Sequence, residues 1–531
     1  MGMDRPIAAT SENADIVDRT VTASPDVRYC ELLQTNAAAA ASVASAVLGS
    51  FGPRGLNTAL ADGDGDFAVT SDAAAIVEKL DTKHPVSHLV AGAARTQGAQ
   101  VGDGAATAVI IASALINEAV AQACVGVPMV HLLAGIRLAT PVVLDFLKQT
   151  ARASAYCDDP MLYQAARTAA RGDKQIAALI IEAVRAISPE RLTEDETFSL
   201  SKRVMARQGA TTRLAPGLIL GTQTPGERAP VSVPKPWLLL IDGDLAPERI
   251  PDEGLGTETG FQRHLQLQED FAEDVRKLAT VGANCVFVTG DIAPSARVLL
   301  EEARIFCVES VPASDLAELA AYTGGVPVSR AGLRRSIGEL RNHLGTANTV
   351  ARDPRLQAVY VEGGSGRPMV TILVGAATPE VLAEKSGIAR KAAATVQAAL
   401  RGGVLPGGGA AELAAVKYVR RVRQAAPDKY VHGVDCVIEA LKAPMVSIVQ
   451  TCGFSARQVE EALRADAQGR AEGWGISAET GRVTYMYDLE VVDAAPVKIG
   501  AFVTAVEVAD AVLRISAIID SDADTRAGAL D

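Results

Sequence analysis

A chain of 531 residues is longer than one hydrophobic core usually serves, so roughly two to four domains are expected. Apolar residues make up 48% and aromatics only 4%, which calls for a large core built from Ala, Val and Leu. The net charge of −12 argues against a general nucleic-acid or anionic-membrane surface, and the absence of an uninterrupted apolar run of about 18 residues predicts no membrane span.

Residues 1–24 are polar and acidic, lack the apolar centre of a signal peptide, and read as a mobile tail of a cytoplasmic protein. The seven cysteines (Cys30, Cys124, Cys157, Cys285, Cys307, Cys436 and Cys452) are scattered, odd in number and never in CxxC spacing. That pattern predicts free, mostly buried thiols in a reducing compartment. His84 and His88 stand four apart, but Pro85 between them favours a helix start over a metal site.

An Ala-rich helix is expected over 28–48, running into Gly49-Ser-Phe-Gly-Pro-Arg-Gly55. Such a loop can wrap backbone N–H groups around a phosphate with Arg54 as charge, or simply connect a helix to a strand. Asp62-Gly-Asp-Gly-Asp66 imitates the start of a calcium loop, yet Phe67 stands where that loop needs glycine and no glutamate follows at the right distance. It reads as a hairpin tip ahead of a strand over 67–70. Asp72 then caps the next helix, or is an acid aimed at the same pocket as Asp103.

A helix over 85–100 delivers the chain to Val101-Gly-Asp-Gly-Ala-Ala-Thr107, which opens a helix over 108–123 that is apolar on nearly every face. Gly102 and Gly104 let the backbone turn sharply and approach a ligand closely. The helix start offers unpaired N–H groups and a positive dipole to an anion. Asp103 can hold the Mg²⁺ that phosphates bring. A plain helix cap is the competing reading of the same turn.

From residue 149 the texture changes: helices are expected over 161–171 and 174–187, then a strand over 217–221. The Pro- and Gly-rich stretch 222–236 marks a boundary or projection. An α/β rhythm follows, with strands at 237–241, 285–289 and 305–308 and helices at 260–281, 295–303 and 313–323. No GxGxxG follows its first strand, and Gly363-Gly-Ser-Gly-Arg-Pro is a turn between strands, so a dinucleotide site finds no support. After a strand over 369–375 and an alanine-loaded helix over 379–400, Gly407-Gly-Gly409 feeds another helix. Bare backbone there can lie flat against a base or ribose, or act as a hinge. A final helix is expected over 501–519. Helical ends flank an α/β middle, so the two ends fold together around an insertion.

That nested order, with these turns, resembles the chaperonins, and the group II (thermosome) type most closely. Leu48-Gly-Ser-Phe-Gly-Pro-Arg-Gly55 is similar to the family's LGPKG phosphate loop, Thr70-Ser-Asp-Ala-Ala74 to TNDGA, and Gly102-Asp-Gly-Ala-Ala-Thr107 to GDGTTT. Gly407-Gly-Gly-Ala410 resembles the GGGA turn, and Gly475 with Asp493 the nucleotide clamp near the C-terminus. The resemblance implies a multi-domain α+β chaperonin fold. Its mainly helical equatorial domain would comprise 1–148 and 404–531, a small intermediate hinge domain 149–217 and 366–403, and an α/β apical domain 218–365 with a lid protrusion near 222–260.

It further implies ATP and Mg²⁺ as cofactors. Gly49, Gly52, Pro53, Arg54, Gly55, Gly102, Gly104, Ala105, Ala106, Thr107, Gly407, Gly408, Gly409, Gly475 and Asp493 would contact nucleotide, Asp103 the metal, and Asp72 would be catalytic. Unfolded client proteins would be the partners of a double-ring homo-oligomer, or of a hetero-oligomer of related subunits, with no nucleic acid and no membrane. Departures matter equally: Ala105 and Ala106 replace two threonine hydroxyls, and Ala73 replaces a glycine. The family's catalytic aspartate position, counted back from Gly407, falls on Arg390 or Lys391. A cation cannot act as general base, a loss commonly worth on the order of 10²–10⁴ in rate, although it attracts phosphate or replaces part of a metal's charge. Two functions are therefore expected in competition: an ATP-driven folding chamber, and a chaperonin-derived ring that binds nucleotide or clients with little turnover.

Overall fold

The computed structural model describes residues 25–61, 67–80, 83–154, 158–221, 230–248, 257–467 and 472–518. The expected tail at 1–24 and hairpin tip at 62–66 lie outside the described residues.

Five helices from the first part of the chain, α1 (Pro25–Leu48), α2 (Ala73–Glu78), α3 (Pro85–Val101), α4 (Ala105–Cys124) and α5 (Met129–Thr150), enclose a shared core. Between α1 and α2 runs an antiparallel hairpin, β1 (Thr58–Ala61) and β2 (Phe67–Thr70). His84 caps α3 by accepting from the Val86 N–H, as the adjacent proline implied. Because α4 is apolar all round, it is surrounded: α1 and α3 pack on it from one end of the chain, and helices from the other end cover the rest. By length and composition α4 and α5 are both apolar enough to cross a bilayer, but α4 spends that hydropathy on the core, with Val109, Ile111, Leu115 and Ile116 fully enclosed.

The middle of the chain carries α6 (Pro160–Ala169), α7 (Lys174–Ile187) and α8 (Pro189–Glu194), then β3 (Val204–Gln208), β4 (Arg213–Pro216), β5 (Leu218–Leu220), β6 (Ser232–Pro234) and β7 (Trp237–Asp242). It continues through α9 (Glu258–Val281), β8 (Cys285–Val288), α10 (Pro294–Glu302), β9 (Phe306–Val308), α11 (Ala313–Thr323), β10 (Val328–Ser329), α12 (Ile337–Arg341) and β11 (Gly345–Thr346). Strands β10, β7, β8 and β9 pair in parallel, and β11 joins β7 antiparallel. One face of this sheet (Leu239, Ile241, Val286, Val288) packs on Phe271, Val275 and Leu278 of α9. The other face (Leu238, Leu240, Cys285, Phe287) joins a second core with α11. Burial on both faces is why these strands are continuously apolar rather than alternating.

A second sheet, ordered β5, β13 (Ala358–Glu362), β12 (Thr349–Asp353), β6, is antiparallel throughout. Strand β14 (Val370–Ala376) lies between β3 and β4 and feeds α13 (Pro379–Gly402). The chain then returns to the first core through β15 (Val404–Pro406), α14 (Ala410–Ala425), α15 (Val431–Thr451), α16 (Arg457–Ala467), β16 (Trp474–Ile476), β17 (Val483–Tyr485), β18 (Val492–Ala494) and α17 (Ala495–Leu513). Strands β15 and β18 pair antiparallel, with Leu405 opposite Asp493. Where α5 and α15 cross, a Cβ on Gly135 would stand 2.2 Å from the Tyr430 carbonyl oxygen, so only glycine permits that approach.

Two expectations need correction, and a third, the protrusion near 222–260, falls partly outside the described residues. The last helix spans 495–513 rather than 501–519, because Pro496 in its first turn starts a helix rather than ending a loop. Within 222–260, residues 222–229 and 249–256 lie outside the described residues; of the remainder, 232–234 and 237–242 are sheet strands and α9 begins at Glu258, so no helical projection occupies 230–248. The cysteines are not all free: Cys30 on α1 and Cys124 at the end of α4 form a disulfide, because the packing of the two helices brings their Cα atoms to 5.6 Å. Cys285, Cys307, Cys436 and Cys452 are free and buried, as expected, while Cys157 lies outside the described residues.

Burial raises the Cys307 thiol to about 11 and the Cys436 thiol to about 12, and raises Cys285 further. At pH 8 these groups hold almost no thiolate, the form that reacts. Modification of these three thiols by a disulfide reagent at pH 8 should therefore be slow until the chain unfolds. In denaturant, reduction should release two further thiols, and Cys30→Ser should abolish that increment.

Candidate functional site at the start of α4

The turn between α3 and α4 is built for close approach. Gly102 and Gly104 both take left-handed backbone (φ +82° and +85°), which an L side chain rarely adopts. A Cβ on Gly102 would fall 2.3 Å from Cβ of Ala394 on α13, and one on Gly104 2.8 Å from Val497 of α17. Gln97 of α3 reinforces the junction, donating from Nε2 to the Asp103 carbonyl at 2.9 Å and the Val497 carbonyl at 3.1 Å. No side chain caps α4, so its first N–H groups and their partial positive charge are left for a ligand. Ala105 and Ala106 add no hydroxyl, and Thr107 is buried.

One face of α13 lies along this turn and along the loop before α2. Thr395 donates from Oγ1 to Asp103 Oδ2 at 3.1 Å. One turn earlier, Lys391 Nζ pairs with Asp72 Oδ1 at 2.9 Å. Two turns before that, Glu384 accepts from the Ser71 N–H (3.2 Å) and hydroxyl (2.7 Å). This spacing puts all three side chains on a single stripe. Asp72 also caps α2 by accepting from the Ala74 N–H. The two positions left open by the sequence are thus distinguished: Lys391 faces the acids, whereas Arg390 is exposed.

The remaining turns gather round α15. Gly409 (φ +82°) begins α14, and a Cβ there would stand 2.8 Å from the Met445 nitrogen. A Cβ on Gly52 would touch Ile448, about one turn along α15, at 3.2 Å. Gly475 packs against Met445 and Met486, and Gly408 faces the Met486 sulfur. Gly407 lies against the Asp493 carboxylate. In the first loop, Gly55 crowds the Ser50 carbonyl, Arg54 donates to the Cys452 carbonyl at 3.2 Å, and Arg171 donates to Ser50 at 2.7 Å. Gly49 and Pro53 are exposed.

The two halves are joined through α17. Lys498 Nζ pairs with Asp493 Oδ2 at 2.9 Å and Glu412 Oε1 at 3.0 Å. The side chains of Lys498 and Glu412 are 7% and 1% exposed. Burial alone would pull the ammonium's pKa down, but Asp493 and Glu412 outweigh it and hold it above its ordinary value. Among the described residues no cluster of three or more His, Cys, Asp or Glu forms a protein cage for a metal. Among the described residues nothing hydrogen-bonds Asp103 Oδ1, which suits a cation such as Mg²⁺ that retains most of its waters and takes few protein ligands.

Sequence reading passed over Gln97, Glu384, Thr395, Glu412 and Lys498. Their signal is faint but physical: Thr395 is the lone hydroxyl in an alanine run, and Lys498 is the lone cation in the otherwise apolar early turns of α17. A polar side chain on a face that must be buried needs a partner.

The sequence pattern of the TCP-1/cpn60 chaperonin family matches residues 43–523. The chain is similar to thermosome subunit beta of Sulfurisphaera tokodaii, 28% identical over 507 residues that cover 92% of this chain and 91% of the relative. It is also similar to the thermosome subunit of Methanopyrus kandleri, 28% identical over 504 residues, covering 91% of each. A crystal structure of a group III chaperonin in the open state superposes with a TM-score of 0.81 at 34% identity, covering 92% of this chain and 99% of that one. These likenesses extend along nearly the whole length of the chain. The chain belongs to the TCP-1/cpn60 chaperonin family and is a subunit of a ring assembly that assists the folding of other proteins.

Proposed function

We propose that the site at the start of α4 binds ATP with Mg²⁺, and that nucleotide occupancy drives the folding chamber. The observation that carries this reading is the placement of Asp72 and Asp103 against contacts one turn apart on α13, beside an uncapped helix start. The N–H groups of Ala105, Ala106 and Thr107 and the loop from Gly49 to Gly55 would hold phosphates. Asp103 would hold the metal. Gly407, Gly408, Gly409 and Gly475 would lie flat against base and ribose, with Asp493 accepting from ribose hydroxyls. When bound, the nucleotide supplies a phosphoanhydride whose occupancy or cleavage can shift the ring between states.

The units assign themselves on this reading. Residues 1–148 and 404–531 form the equatorial nucleotide domain, 149–217 and 366–403 the intermediate hinge, and 218–365 the apical client-binding domain. Support comes from α13, which touches the acids through Lys391 and Thr395 and Ser71 through Glu384, while Ala389, Ala392, Ala393 and Val396 pack with α6 and α7. Movement at the phosphates would thereby turn the hinge. Exposed Phe261 and Leu265 on α9 and Val298 on α10 suit capture of unfolded clients. We place the protein in the cytoplasm as a double-ring homo-oligomer.

A second reading is favoured by one contact. Lys391 occupies the face of α13 that meets Asp72, and a cation at that position cannot position an attacking water as a carboxylate would. The ring then binds nucleotide and clients with little or no ATP hydrolysis.

Titration of ATP in Mg²⁺ by calorimetry tests the site: Asp103→Ala should weaken binding by about tenfold, the loss of one charge-assisted contact. Unchanged affinity would overturn the assignment. Steady-state phosphate release during client refolding separates the two readings, since only the first expects turnover that Asp103→Ala abolishes. Glu412→Ala strands the buried Lys498 ammonium with one partner and should cost about 3–5 kcal/mol of stability, read from the denaturant midpoint.

A further inference from the structure

Two carboxylates, Asp72 and Asp103, face the place proposed for a polyanion, so the charge balance around it decides what can bind. Among the described residues, the other cations near the site are held by different partners. Arg54 and Arg171 each donate to a backbone carbonyl, and Lys498 is buried between two carboxylates. Arg390 is exposed, off the stripe that carries Lys391 and Thr395. Lys391 differs from all of these. Among the described residues its one ion pair is with Asp72, and the two side chains are 26% and 34% exposed.

A partly solvated pair of that kind is weak. The ammonium can therefore be shared with, or transferred to, an incoming phosphate at little cost. It is a compact charge on a flexible stem, well suited to phosphate. It sits one helical turn from the Thr395–Asp103 contact, and so beside the uncapped start of α4. Thr395 meanwhile donates to Asp103 and disperses part of the second negative charge.

Building on the nucleotide reading above, we infer that Lys391 is a resident cation that lets this site bind a nucleoside triphosphate without a divalent metal. The lysine neutralises Asp72 in the empty site and holds phosphate oxygens in the filled one. Metal at Asp103 then adds to affinity without being required for it.

The test is calorimetric titration of the full-length assembled protein with ATP, once in Mg²⁺ and once in excess EDTA. The expected result is wild-type affinity in EDTA within about tenfold of that in Mg²⁺, a difference of no more than about 1.4 kcal/mol. Lys391→Gln should weaken binding in EDTA by about tenfold or more and binding in Mg²⁺ far less, while Lys391→Arg should keep the metal-free binding. Wild-type binding that falls more than about tenfold in EDTA overturns the inference, as does equal EDTA affinity for wild type and Lys391→Gln. The wild-type comparison stands alone if the glutamine variant fails to fold. Binding in Mg²⁺ but not in EDTA rejects the metal-free mode alone; no binding in either rejects the nucleotide reading with it.

Discussion

The closeness of α13 to the turn between α3 and α4 governs everything else in this molecule. It is possible because Gly102 has no side chain and Ala394 has almost none, and their van der Waals surfaces already touch. That contact lets Thr395 reach Asp103 and Lys391 reach Asp72. One helix, rooted in the core of the middle unit, thus reads the state of two acids in the core formed by the chain's ends.

The polar contacts at this junction differ in kind. The Lys391–Asp72 pair is half in solvent and easily rearranged. The Lys498–Asp493–Glu412 group is buried, and its charges hold one another in place. Removing a single partner there leaves an uncompensated charge, so the network behaves as a rigid brace between α14, β18 and α17. A firm brace thus stands beside a yielding pair at the same junction.

The apolar economy of the chain supports the same division. Ala, Val and Leu pack small helices closely around α4, and Gly135 lets α5 approach α15. In the middle unit the parallel strands are covered on both sides, one by α9 and the other by a core shared with α11 and α13. Family membership follows from this nested plan as much as from short motifs, since it extends along nearly the whole chain.

Helices 28–48, 85–100 and 260–281 and the strands at 237–241 and 285–289 were legible because period and punctuation are local: apolar spacing, Pro at a helix start, Gly at its end. The glycine turns and the acids Asp72 and Asp103 were legible as points, since each carries its backbone signature in a few residues. What joins those points was not. Strands β12 and β13 and the Cys30–Cys124 bond depend on partners far off in sequence. The choice of Lys391 over Arg390, like the roles of Thr395, Glu412 and Lys498, turns on which side of a helix faces inward. A sequence states the period of a helix but not its rotation about its axis; only packing against α3, α4 and α17 sets that angle, and with it the charge of the site.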